Sequence, residues 1–127
     1  MIHVVLPLAF TALLPFLLTL AVKWRRLSRR ANHETRTWQA QLTGWRQRAH
    51  WAHQNAFETF PVFASAVILA WIREPGSAVA MVAAWAFLAL RIAYSACYVA
   101  DLASARTVVF LLSLADLLVL FAVALGL

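Results

Sequence analysis

The sequence predicts an all-α integral membrane protein, a bundle of four spanning helices, and three observations carry that prediction. Of the 127 residues, 64% are hydrophobic and only 13% are charged, whereas a soluble domain holds about 45–50% apolar residues. Mean hydropathy is +0.76, and a soluble fold so composed would leave too much apolar surface in water. Finally, eight of the eleven Lys and Arg residues lie between Lys23 and Arg48, squeezed between two apolar runs. The formal charge of +6 could suggest nucleic acid. Its clustering in one connection points to membrane topology instead, and no nucleic-acid motif is present, so nucleic acid is not an expected partner. Composition also excludes a soluble enzyme, a disulfide scaffold (Cys97 stands alone) and a disordered tail.

A single domain over 1–127 is expected, with approximate spans 2–22, 49–72, 78–98 and 107–125. Ile2 to Val22 is uncharged and long enough to cross a core of about 30 Å at ~1.5 Å per residue. It lacks the basic leader of a secretory signal and runs longer than one, which predicts a retained helix. Lys23, Trp24, Arg25 and Arg26 form its charged and aromatic stop, and Pro7 and Pro15 are candidate kinks. Ala49 to Ile72 is less apolar because it carries His53, Asn55 and Glu58. Arg73-Glu74-Pro75-Gly76-Ser77 is a compact turn signal. Ala78 to Tyr98 is interrupted only by Arg91, and Thr107 to Leu125 only by Asp116.

Orientation follows from the basic residues. The first connection holds eight positive side chains against one acid, Glu34, while the second holds only Arg73 and Glu74. That excess predicts a cytoplasmic first connection and both termini outside, in the inner membrane if the source is bacterial. Topology alone accounts for the basic loop, and contact with anionic lipid headgroups is compatible with it.

Charged side chains at membrane depth cost several kcal/mol unless paired or wet, so each needs a reason. Arg48, Trp51, Asn55 and Glu58 follow at steps of three, four and three, which makes one stripe on the second span. Arg91, Tyr94, Tyr98 and Asp101 repeat those steps on the third, so the two stripes can face each other. Glu58 lies ten residues beyond Arg48, Arg91 ten before Asp101, and Asp116 ten beyond Arg106, each hence ~15 Å deep. The expectation is a Glu58–Arg91 ion pair with Asp116 close by or protonated. A purely structural pair that fixes helix register and a direct ligand role both remain open.

Nearer the basic face, Arg48, Asn55, Tyr94, Tyr98 and Arg106 supply donors and cations in a half-protected region. Such a cluster suits a small anionic ligand arriving from water, while an apolar partner arrives from lipid. At the opening of the fourth span, Arg106 would add its charge to the positive end of the helix and stabilise a bound thiolate. Snorkelling at the interface is the plainer account of any one of these residues. Together, on matched stripes, they favour a site. His50 and His53 lie one turn apart with no histidine on the third or fourth span, so neither haem nor a metal is expected. Cys97 reads as a packed small residue.

The stretch from Arg48 through Asn55, Glu58 and Pro61 to Phe63 resembles the signature of the MAPEG family, the membrane-associated proteins of eicosanoid and glutathione metabolism. Arg91, Tyr94, Tyr98, Asp101 and Arg106 are similar to its second signature, and Asn32-His33, Arg36 and Gly44-Trp45-Arg46 resemble bacterial members. The resemblance implies a homotrimer with glutathione bound between adjacent subunits near the cytoplasmic face. By position, Arg48, Asn55, Glu58, Tyr94 and Tyr98 would contact glutathione, and Arg106 matches the arginine that stabilises its thiolate. Trp51 stands where leukotriene-forming members carry arginine, His53 where they carry glutamine and Thr59 where they carry tyrosine.

Two functions follow. One is a glutathione-dependent transferase or peroxidase acting on lipophilic electrophiles or lipid hydroperoxides, with Arg106 and Tyr98 as its catalytic residues. The other is a non-catalytic scaffold of the same type, binding a small amphiphile or another membrane subunit. The altered positions 51 and 59 favour the scaffold, whereas the retained Arg48, Asn55, Glu58, Tyr98 and Arg106 favour the enzyme.

Overall fold

A computed structural model describes residues 2–24, 28 and 32–127. The basic positions Arg25, Arg26, Arg29 and Arg30, on which much of the topology argument rests, lie outside the described residues. The described elements are α1 (Ile2–Lys23), a short α2 (Thr35–Ala40), α3 (Gly44–Arg73), α4 (Ala78–Val99) and α5 (Ala103–Leu125). All but α2 are long and apolar enough to cross a membrane.

Local chemistry sets the helix limits. Thr43 is extended and Gly44 takes φ +61°, a left-handed start that releases α3 from the loop. The end of α3 comes at Arg73, where Pro75 and Gly76 (φ +90°) turn the chain. Ser77 then caps α4, its hydroxyl accepting from the Ala80 N–H at 3.5 Å. Between α4 and α5 the chain reverses in three residues, with Asp101 at φ 63°, a conformation that acidic and amide side chains tolerate better than most. Gly126, also left-handed, closes α5. Pro7 and Pro15 both sit inside a continuous α1. The second and fourth spans begin earlier than apolarity alone indicates, at Gly44 and Ala103, because a helix persists where its side chains turn polar. At 30 residues α3 is ~45 Å long and overhangs a bilayer core by several turns.

Helices α3 and α4 form the centre. Each packs against the other and against α1 and α5, which lie on opposite flanks without touching. At the end away from the basic loop the core is apolar and close-packed. Phe63 and Phe87 stack with centroids 4.2 Å apart and an 8° interplanar angle, flanked by Ala66, Ala70, Ala83 and Ala84. Small residues let neighbouring backbones approach closely, which drives helix association where lipid removes the hydrophobic contrast.

Candidate functional site

The two polar stripes meet rung by rung in antiparallel order. At the basic end, Arg48 Nε donates to the Val99 carbonyl at 3.1 Å, and its Nη1 lies 3.7 Å from Asp101 Oδ2. One turn inward, the Trp51 ring lies 6.3 Å from Tyr98. Tyr94 stands edge-on to Tyr98 at 5.5 Å and tilts against Phe110 of α5 at 6.1 Å. At the deepest rung, Arg91 Nη2 donates to Asn55 Oδ1. Steps of three and four residues on both helices hold these side chains on facing sides, so the arrangement is a direct product of spacing.

Arg91 is 1% exposed, and its guanidinium carbon lies 4.4 Å from the Tyr94 ring centre, a cation–π contact. Its Nε and Nη1 have no hydrogen-bond partner among the described residues. Beside it is a cavity of ≈290 Å³ lined by Asn55, Glu58, Thr59, Phe110 and Ser113 among others. Because the Asn55 carbonyl oxygen accepts from Arg91, its amide nitrogen keeps two free donors.

The expected Glu58–Arg91–Asp116 cluster is corrected here. Among the described residues the one ion pair is Arg48–Asp101. Glu58 is exposed and stands at the rim of the Arg91 cavity. Depth arithmetic gave the right height, but Asn55, one step earlier on the same stripe, faces the guanidinium. Asp116 departs further. Ser113, Leu114 and Leu117 line the Arg91 cavity, while Asp116 lies roughly a third of a turn away at ~100° per residue and lines a separate groove.

Arg106 lies in the first turn of α5 rather than at its opening, since its backbone N–H already bonds to the Leu102 carbonyl at 2.9 Å. Its guanidinium carbon is 4.3 Å from the Tyr98 ring centre. It has no carboxylate partner among the described residues, and neither it nor the Tyr98 hydroxyl makes a side-chain hydrogen bond there. A cation and a phenol beside it are thus left for something else to satisfy.

His53 has a packing role. Its Nδ1 lies 2.7 Å from the Pro15 carbonyl oxygen and 2.8 Å from Thr19 Oγ1, tying α3 to α1. His50 stacks on it at 5.8 Å. Thr59 returns its hydroxyl to the Asn55 carbonyl at 2.9 Å. Sequence reasoning missed Phe110 and Ser113 as lining residues. The signal was present, since Arg106, Phe110, Ser113 and Leu117 follow at steps of four, three and four, a third stripe facing the other two.

Comparison with protein families matches the chain to the MAPEG family over residues 4–126. Neither the curated proteins nor the solved structures give a match.

Proposed function

This chain belongs to the MAPEG family, and on that premise we propose that it is a glutathione-dependent membrane transferase or peroxidase acting on lipophilic electrophiles or lipid hydroperoxides. The observation that carries the reading is the Arg106 guanidinium over the Tyr98 ring, where among the described residues neither the guanidinium nor the phenol hydroxyl has a hydrogen-bond or ion-pair partner. A cation without a counter-ion in a half-protected site lowers the cost of a thiolate. In this reading the thiol proton leaves to water and the sulfur anion is held by Arg106 and Tyr98. On an electrophile it forms a carbon–sulfur bond as the leaving group departs or the electron pair moves into a conjugated acceptor. On a lipid hydroperoxide it takes the distal oxygen as the O–O bond breaks, releasing the alcohol, and a second glutathione reduces the sulfenic acid to the disulfide and water. Holding both reactants in one orientation adds to the rate. Arg48, Asn55, Glu58 and Tyr94 hold the charged ends of the tripeptide. The site takes no metal and no haem.

The same reading makes the protein a homotrimer with glutathione between adjacent subunits. Support comes from Glu58, a carboxylate exposed at membrane depth in the single chain. Facing lipid it would be costly, and a partner copy over that face removes the cost. The basic connection faces the cytoplasm and both termini lie outside.

One observation favours the non-catalytic alternative, a scaffold for a small amphiphile or another membrane subunit. Trp51, lying against Tyr98, offers an aromatic face where leukotriene-forming members offer a cation. An ultraviolet difference titration of the detergent-solubilised protein with glutathione at neutral pH decides between them. The expected result is a saturable thiolate band that Arg106→Ala abolishes while the oligomer survives. No band and no binding heat at millimolar glutathione would sink the enzyme reading.

A further inference from the structure

Between α4 and α5 lies a second groove of ≈400 Å³ that shares no lining residue with the Arg91 cavity. Its walls are Val79, Val82, Ala83, Ala86 and Val119, and Asp116 is its only polar side chain. Val82 and Val119 are exposed, so the groove opens outward. Asp116 Oδ2 is buried and has no hydrogen-bond partner among the described residues. Asp116 sits thirteen residues into a 23-residue helix, ~20 Å from its start and thus well inside the bilayer. Among the described residues no cation pairs with it, the one ion pair being Arg48–Asp101.

An ionisable side chain placed there needs a partner, and the groove supplies none. We propose that the α4–α5 groove is a binding site for a membrane-dissolved lipophilic amine, with Asp116 as its polar anchor. The choice of an amine follows from charge. A neutral amine and a neutral carboxyl can each enter hydrocarbon at modest cost. Once together they share one proton, carried by the carboxyl or passed to the nitrogen, so the pair has no net charge in either form. The alkyl body of the ligand replaces lipid along the valine and alanine walls, where small side chains leave room for it. An anion would bring a net charge into hydrocarbon, and an alkane would leave the carboxyl unsatisfied.

The test uses dicyclohexylcarbodiimide, an apolar reagent that adds to protonated carboxyls in membranes, on the full chain in detergent micelles. Peptide mass mapping separates the Asp116 adduct from any at Glu58. The expected result is labelling of Asp116, with saturable loss of that labelling in N,N-dimethyldodecylamine and none in dodecane or dodecan-1-ol. A tertiary amine is used because it cannot itself be acylated. Calorimetric binding of the same amine should disappear in Asp116→Asn. Equal protection by dodecan-1-ol would overturn the proposal in favour of a neutral hydrogen-bonding ligand. Absence of labelling without competitor would overturn it as well, because the groove would then be covered in the assembled protein. Amine binding that survives in Asp116→Asn would do the same.

Discussion

The two halves of the bundle use the same two central helices in opposite ways. Away from the basic loop, α3 and α4 meet through stacked Phe63 and Phe87 and a layer of buried alanines. Toward the loop they meet through arginines, tyrosines and one asparagine, and the contacts stay open. Among the described residues, two nitrogens of Arg91 lack partners, Arg106 meets only an aromatic ring, and Glu58 stands at a rim. The closed half fixes the height and angle of the helices, and the open half holds unsatisfied groups that a ligand can complete.

Separating the halves by mutation sharpens that division. The largest stability loss is expected from Phe63→Ala, which opens a cavity in the closed half and costs about 3–5 kcal/mol. Thermal unfolding in micelles should show a clear drop in Tm, while the thiolate band of the folded fraction stays in place. If that band were lost as well, the two halves would not be separable. Asn55→Leu is next. It removes the one acceptor bonded to the buried Arg91 guanidinium among the described residues and costs about 1–3 kcal/mol for the donor left unpaired. Glutathione affinity should fall with it, and Asn55→Asp, which keeps the acceptor, should recover Tm but not the donors that face the ligand. Smallest is Asp101→Asn. The Arg48–Asp101 contact is 3.7 Å long with Asp101 70% exposed, and pairs of that kind contribute about 0–1 kcal/mol. Tm should barely move, since Arg48 keeps its bond to the Val99 carbonyl; a large drop would place structural load in the open half.

The four long helices were legible because apolar length and charge position carry them, and the facing stripes were legible because steps of three and four specify a side of a helix. What resisted was rotation finer than a step. Asn55 and Glu58 share a stripe, yet only Asn55 meets Arg91, and height along the axis does not distinguish them. Asp116 misled for the same reason, being at a comparable depth but on a different face of α5. The role of His53 was hidden differently. Its partner is a main-chain carbonyl of α1, and side-chain identities say nothing of which carbonyl lies opposite.

The length of α3 has one more consequence. Its ~45 Å exceed the hydrocarbon layer, so on the proposed topology the rungs at Arg48 and Trp51 stand where the membrane ends, and the thickness of the membrane decides on which side of that border they fall. Bilayers differ by a few Å between compartments and lipid compositions, and a mismatched helix tilts or the lipid deforms. Thickening lipid would draw the Trp51–Tyr98 rung into acyl chains and shut the water-soluble ligand out, whereas thinning would lift it into the headgroups. Acyl-chain length is thereby built into the access to this site, as a setting that belongs to the host membrane rather than to the protein.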